Sequence, residues 1–233
     1  MKNIFFIISA LILLSITNCN KKSDSIGQRF KEAEALESQI IESVNSIASC
    51  KENYEAILAQ APKSEYAPVA CFKLGKLNQL FGHEDEAVHH YRDLLTVFPE
   101  HPLCGEALFN MAQIYLSESD KQTLAKETFG QVLMFYPQSK NKLEVLTQLV
   151  NLYSRDKDWP NVIQFLDDII RSFPEKSIAA DAYFRMGDIL QNEMNQPEEA
   201  VKMYRQLIEK CPQSSWCVFA NSRIDSLNEG GLK

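Results

Sequence analysis

The chain has 233 residues, 45% of them apolar and 24% charged, which is a globular composition and enough length for one large domain or one repeat array. Its formal charge is −7 at neutral pH and becomes −8 without the first 18 residues, whose only charged side chain is Lys2. That acidity argues against nucleic acid, whose phosphates require a basic patch, and it disfavours adhesion to anionic lipid through charge alone.

The amino-terminal stretch reads as an export signal over 1–18. Met1-Lys2-Asn3 is short and positive, Ile4 to Ile16 is nearly all apolar, and Thr17-Asn18-Cys19 closes it. The apolar run falls short of the roughly 20 residues that a membrane-spanning helix needs, although an uncleaved helical anchor is the alternative reading. With Ile16 three residues before it and polar Asn20-Lys21-Lys22-Ser23 after it, Cys19 resembles the lipidated cysteine of bacterial lipoproteins. The pattern departs from that family at Asn18, where Gly, Ala or Ser is usual. The resemblance implies that Cys19 is acylated and that 19–25 form a tether. Each buried CH₂ contributes about 0.8 kcal/mol, so several acyl chains would hold the protein on a bilayer without spanning it.

Beyond the tether, Pro62, Pro99, Pro137, Pro174 and Pro212 recur 37, 38, 37 and 38 residues apart. A period of this size marks stacked supersecondary units, here 26–62, 63–99, 100–137, 138–174 and 175–212, with a closing helix over 213–228 and a tail over 229–233. Twelve residues before each proline stand Cys50, Ala87, Ala125, Val162 and Ala200. Eight before stand Tyr54, Tyr91, Phe129, Leu166 and Tyr204. With the apolar pairs four and five before, these form one face of a second, B, helix in each unit. Eight and twelve residues past the prolines, Ala70 and Leu74, Ala107 and Met111, Val145 and Leu149, Ala182 and Met186, and Ala220 and Ile224 mark the first, A, helices. Ser64, Ser139 and Ser214 are placed to cap the A helices, Pro160 and Pro197 to open B helices. No alternating run predicts a β-sheet.

A small residue, an aromatic four later and a proline eight after that, preceded by Leu-Gly or Met-Gly, resembles the tetratricopeptide repeat. Leu74-Gly75, Ala87, Tyr91 and Pro99 carry it, as do Met186-Gly187, Ala200, Tyr204 and Pro212. The resemblance implies an all-α fold, a right-handed superhelix of helix-turn-helix units with a C-terminal capping helix. The first unit matches least, because its expected apolar A-helix position holds Glu37.

Catalytic and metal chemistry find no support. His83-Glu84 begins the zinc-protease motif H-E-x-x-H, but Ala87 occupies its last place. His89 and His90 fall on the solvated side of a B helix by the register that buries Ala87 and Tyr91. No phosphate-binding glycine loop or nucleophile elbow is present, so neither an enzyme nor a cofactor is expected. Setting Cys19 aside leaves five cysteines, an odd number that cannot fully pair. Cys50 and Cys71 suit packing positions, while Cys211 and Cys217 flank one turn and read either as a local disulfide or as free thiols.

Carried over from the repeat family by register, a partner-binding groove on the A helices comprises Phe72, Lys76 and Gln79, then Phe109, Gln113 and Leu116, then Thr147 and Asn151, then Phe184, Asp188 and Gln191. The three phenylalanines read either as anchors for an extended peptide or partner helix or as core between A helices. Taken whole, an export signal, a lipid-type cysteine and about five repeats resemble the BamD-type lipoprotein family of the outer-membrane β-barrel assembly machinery. That resemblance implies a scaffold at the periplasmic face of the outer membrane, binding barrel-assembly components or unfolded outer-membrane proteins. The alternatives are a peptide-binding regulatory module similar to the Tol-Pal and cell-division coordinator, and a repeat lipoprotein attached to another envelope complex.

Overall fold

The computed structural model describes residues 25–37, 44–175 and 177–229. The export segment, Cys19 and the tail from 230 lie outside them. The described residues form eleven α-helices and one short 3₁₀ turn, with no strand among them. In chain order these are α1 (25–37), α2 (Val44–Gln60), α3 (Ala67–Leu80), α4 (Glu84–Val97), α5 (Cys104–Ser117), the 3₁₀ turn Ser119–Lys121, α6 (Gln122–Phe135), α7 (Lys142–Arg155), α8 (Trp159–Ser172), α9 (Ser177–Asn192), α10 (Pro197–Lys210) and α11 (Trp216–Glu229). Odd-numbered helices are the A helices and even-numbered ones the B helices. None of the described helices is long and apolar enough to cross a membrane.

The prolines end the B helices through their predecessors. A residue before proline is pushed out of the α region by the ring, and Phe98, Tyr136, Phe173 and Cys211 all take nearly one conformation, with φ from −137° to −128° and ψ from 50° to 58°. Each still donates its own N–H to the carbonyl four residues back, at Leu94, Val132, Ile169 and Leu207, so the helix stops without an orphaned donor there. Ser139 and Ser214 accept from the N–H of Asn141 and of Trp216, both at 3.3 Å, and so tie the turn ahead of the next A helix. Ser64 departs from that expectation: its hydroxyl is buried and finds no hydrogen-bond partner.

Within a repeat the A helix turns into the B helix through a left-handed residue, Gly82 (φ 73°), Lys157 (φ 57°) or Asn195 (φ 53°). Gly82 adopts it without strain because it has no Cβ. Pro160 and Pro197 stand in the first turns of α8 and α10, as expected, where a missing N–H breaks no bond. Asp158 caps α8 by accepting from the N–H of Asn161, and Glu84, Asp85 and Glu86 place negative charge at the positive end of α4.

Two compact units divide the chain, Met1–Ser117 and Glu118–Lys233. The division falls inside the third repeat, after its A helix. In the first unit α2 packs on α3, α3 on α4 and α4 on α5; in the second α6 packs on α7, and each helix thereafter on the next, with α11 also touching α9. The small and aromatic positions counted from the prolines form the cores. Cys50, Ala87, Ala125, Val162 and Ala200 are fully buried, as are Tyr54, Tyr91, Phe129 and Tyr204, with Leu166 at 1% exposure. Burying side chains of this size stabilises by about 1.5–3 kcal/mol each. Close approach explains the two motif glycines: a Cβ on Gly75 would lie 2.4 Å from Cε1 of Tyr91, and one on Gly187 would lie 2.4 Å from Cε1 of Tyr204. In the fourth repeat, Val150 and Leu166 fill the equivalent pair of positions and share one core cluster.

Candidate functional site

The groove residues read from the sequence sit on the A helices, but not all of them are presented to a ligand. Phe72, Phe109 and Phe184 are 5%, 7% and 8% exposed, so the packing alternative describes their rings. Phe72 lies 5.9 Å from the Tyr91 ring. Phe184 stacks on Trp216 at 4.6 Å and meets Tyr204 at 5.6 Å. Each ring is packed into its own unit rather than standing as a free anchor. Lys76 remains exposed, its ammonium 5.9 Å from the centre of the Phe72 ring, and Asn151 is exposed on α7. Gln113 and Leu116 are half-buried on α5.

Gln79, Asp188 and Gln191 are held by the protein itself. Each B-helix tyrosine sends its hydroxyl back to the A helix before it. Tyr54 donates to Glu37 at 3.1 Å, Tyr91 to Gln79 at 3.0 Å, and Tyr204 to Asp188 at 2.7 Å and Gln191 at 3.3 Å. The phenols stay protonated, because burial above all pushes their pKa values up. A neighbouring carboxylate adds to this at Tyr54 and Tyr204.

The next A helix then closes each arrangement from a position eleven residues past its proline. Lys73 donates to both oxygens of Glu37, at 2.8 and 2.7 Å, Asn110 donates to the Tyr91 hydroxyl at 3.2 Å, and Arg223 pairs with Asp188 at 3.1 Å. Three seams between consecutive A helices thus carry a polar rung of tyrosine, acceptor and bridging donor. Glu37, which broke the expected apolar pattern of the first repeat, is the acceptor of its rung. The sequence reading missed Lys73, Asn110 and Arg223, and the signal available was their shared spacing from the prolines.

The other reactive groups are structural. His89 is exposed, but His90 departs from the expectation of a solvated pair: it is half-buried, its Nδ1 is buried without a hydrogen-bond partner, and its pKa is lowered, first by burial and then by His89. No cluster of His, Cys, Asp or Glu suited to a metal ion occurs among the described residues. Cys211 and Cys217 are free thiols, and Cys217 Sγ donates to the carbonyl of Cys211 at 3.2 Å. Cys104, at the same repeat position, makes the equivalent bond to Phe98 at 3.0 Å, so the sulfur serves the pre-proline carbonyl in both turns. Burial pushes the thiols of Cys50 and Cys71 up to about 11.

Two of the helix pairs, with buried Phe129 and Tyr204 eight residues before Pro137 and Pro212, are matched by a family model for the tetratricopeptide repeat over residues 106–139 and 181–214. Both segments are thus similar to the tetratricopeptide repeat. Each match runs from an A helix through its B helix to the serine beyond the next proline. Among solved structures, a tetratricopeptide repeat protein from Parabacteroides merdae is 18% identical, with a TM-score of 0.55 over 85% of this chain and 72% of that one. MamA from Desulfovibrio magneticus is 14% identical, with a TM-score of 0.52 over 82% and 99% of the two chains. YrrB, described as a tetratricopeptide repeat protein with an unusual peptide-binding site, is 15% identical, with a TM-score of 0.51 over 86% and 97%. Identities at this level establish a shared fold. No curated protein matches the chain. Tetratricopeptide repeat proteins are generally non-catalytic and bind peptides or proteins.

Proposed function

We propose that the protein is an exported lipoprotein, acylated at Cys19, held at the periplasmic face of the outer membrane, and binding protein partners of the β-barrel assembly machinery through its A-helix face. The observation that supports the binding part is an A helix with a polar exposed side: on α3, Lys76 stands exposed over the buried ring of Phe72, which supplies a firm apolar floor. A preorganised face of this sort lowers the ordering cost of capturing an extended segment. Support for export and anchoring comes from the positive start, the short apolar run and the setting of Cys19 in the sequence. Resemblance in architecture is the support for barrel assembly in particular.

Cross-linking intact cells, purifying through a tag placed after Lys233 and identifying the co-purifying chains tests the partner. Barrel-assembly components are expected, and their complete absence overturns that assignment. Recovery of cell-wall synthases or Tol-Pal components instead would favour the regulatory module, which the neutral side chains Thr147, Gln148 and Asn151 on α7 also suit. Cys19→Ser is expected to abolish palmitate labelling and to release the protein from membranes. Membrane retention without label would point to an uncleaved helix.

A further inference from the structure

The turn between α10 and α11 carries two thiols, and its hydrogen bonding accounts for only one of them. Before Pro99, Pro137 and Pro174 the residue is aromatic, Phe98, Tyr136 or Phe173, whereas before Pro212 it is Cys211. Five residues past Pro212 stands Cys217, at the repeat position of Cys104. Cys104 makes the same bond to a pre-proline carbonyl with Phe98 in place of a cysteine, so that bond explains Cys217 and leaves Cys211 unexplained. No hydrogen bond to a described residue uses the Cys211 thiol.

Two successive turns fold the chain between the cysteines. The Ser214 N–H donates to the Cys211 carbonyl at 2.9 Å, and the Cys217 N–H donates to the Ser214 carbonyl at 3.1 Å. Cys217 Sγ is thereby set 3.2 Å from the Cys211 carbonyl oxygen, which by ordinary bond lengths puts it no more than about 5.6 Å from the Cys211 Cα, within the sweep of the two side chains' rotations. Their proximity is felt electrostatically: after burial, Cys217 is the next cause that pushes the Cys211 pKa up. Both residues are only partly buried, unlike Cys50, Cys71 and Cys104. Cys211 also lines a cavity of about 710 Å³ within the second unit, with Pro174, Ser177, Asp181, Lys210 and Trp216. That volume is in the range of small-molecule sites, and Cys217 stands behind it rather than on its wall.

We propose that Cys211 and Cys217 are a thiol–disulfide exchange site, whose co-substrate is a disulfide donor admitted through this cavity and whose closure ties the start of α11 to the end of α10. The Cys211 thiolate attacks one donor sulfur, and the other leaves as a thiol after taking up the Cys211 proton. Cys217 then gives up its proton, leaves the Cys211 carbonyl, attacks Cys211 Sγ and expels the second donor sulfur as a thiol. The protein loses two protons and two electrons, and the donor disulfide gains them. The helix so tied is the one that covers the last A-helix seam, since Trp216 stacks on Phe184 of α9 and Arg223 pairs with Asp188. The inference goes beyond the partner-binding reading and does not rest on it; the compartment that an export signal implies is one where such donors occur.

The test equilibrates the whole, reduced protein in glutathione buffers of rising oxidised fraction, blocks the remaining thiols under denaturing conditions and digests with trypsin, which leaves both cysteines on one peptide, 211–223. That peptide is expected to lose two hydrogens and escape blocking, reversibly with dithiothreitol, while Cys50, Cys71 and Cys104 are blocked. Cys217→Ser cannot resolve the mixed disulfide, so a glutathione adduct should collect on Cys211. In Cys211→Ser the adduct on Cys217 should be about tenfold less, because that sulfur lacks the access the cavity gives. Hydrogen exchange of the α11 amides should be about tenfold slower in the oxidised protein than in the reduced one. Persistent free thiols on 211–223 in the most oxidising buffer, pairing of either cysteine with another cysteine or a second chain, equal adducts on the two variants, or unchanged or faster exchange in α11 would each overturn the proposal. Helicity shows that each variant is folded, and the measurements on the unaltered protein decide the pairing and the tie even if a variant is not.

Discussion

Replacing a glycine by alanine should have opposite signs at two helix positions of this protein. At Gly187 the new Cβ would lie 2.4, 2.7 and 2.8 Å from three atoms of the Tyr204 ring. That ring is fully buried, its hydroxyl is bonded to Asp188 and Gln191, and its flank lies against Phe184, so it cannot swing aside. Overpacking of this kind costs about 1–3 kcal/mol, and a ring this constrained belongs near the upper end. Alanine recovers about 1 kcal/mol of helix propensity, leaving a net loss on the order of 1–2 kcal/mol. At Gly130 in α6 nothing lies within 4 Å of the added methyl, so the propensity gain stands alone and stability should rise by about 1 kcal/mol. Urea denaturation followed by far-UV circular dichroism reads both: the midpoint falls for Gly187→Ala and rises for Gly130→Ala. Adding Tyr204→Leu to Gly187→Ala should cost less than the sum of the two changes, because Val150 and Leu166 already form such a pair in the fourth repeat. A Gly187→Ala protein stabilised as much as Gly130→Ala would refute the close packing of glycine and tyrosine.

His90 should make the first unit less stable in mild acid. Its folded pKa lies below the ordinary 6.5, through burial first and then His89, with Lys51 acting the same way against the opposing Asp93 and Glu86. The unfolded chain therefore binds the extra proton as the pH falls below about 6.5, and stability falls with it. His90→Gln should flatten that part of a melting-temperature profile against pH; an unchanged profile would show that another group is responsible. Thiol alkylation should follow burial rather than sequence order: mass spectrometry after brief iodoacetamide treatment should find Cys211 and Cys217 modified first, because Cys50, Cys71 and Cys104 are buried and the first two hold their protons up to about 11. Equal labelling of all five would mean that the repeats open locally.

The helical repeats were legible in the sequence because a helix end is a local event. The proline imposes one backbone conformation on the residue before it, and the positions counted back from it fall into the core whatever the rest of the chain does. The face of each A helix was legible for the same reason, since 3.6 residues per turn fix which side chains share a side. Whether Phe72 or Phe184 is open to a partner depends on how closely neighbouring helices approach over the ring, and no periodicity encodes that distance. The rungs were hidden for a related cause. Tyr54 and Glu37 are 17 residues apart, and Lys73 is 36 from Glu37, so their meeting depends on the pitch of one repeat against the next. His90 escaped because its register placed it toward solvent, whereas nearby side chains cover one edge of its ring.

The most direct test of the binding account is a photo-cross-linking amino acid placed in cells at Asn151, on the A helix of the fourth repeat, and separately at Gln164, exposed on the B helix of the same repeat. Discrete protein adducts from position 151 with none from 164 are predicted. Adducts from 164 alone would contradict the account and move the binding surface to the B helices.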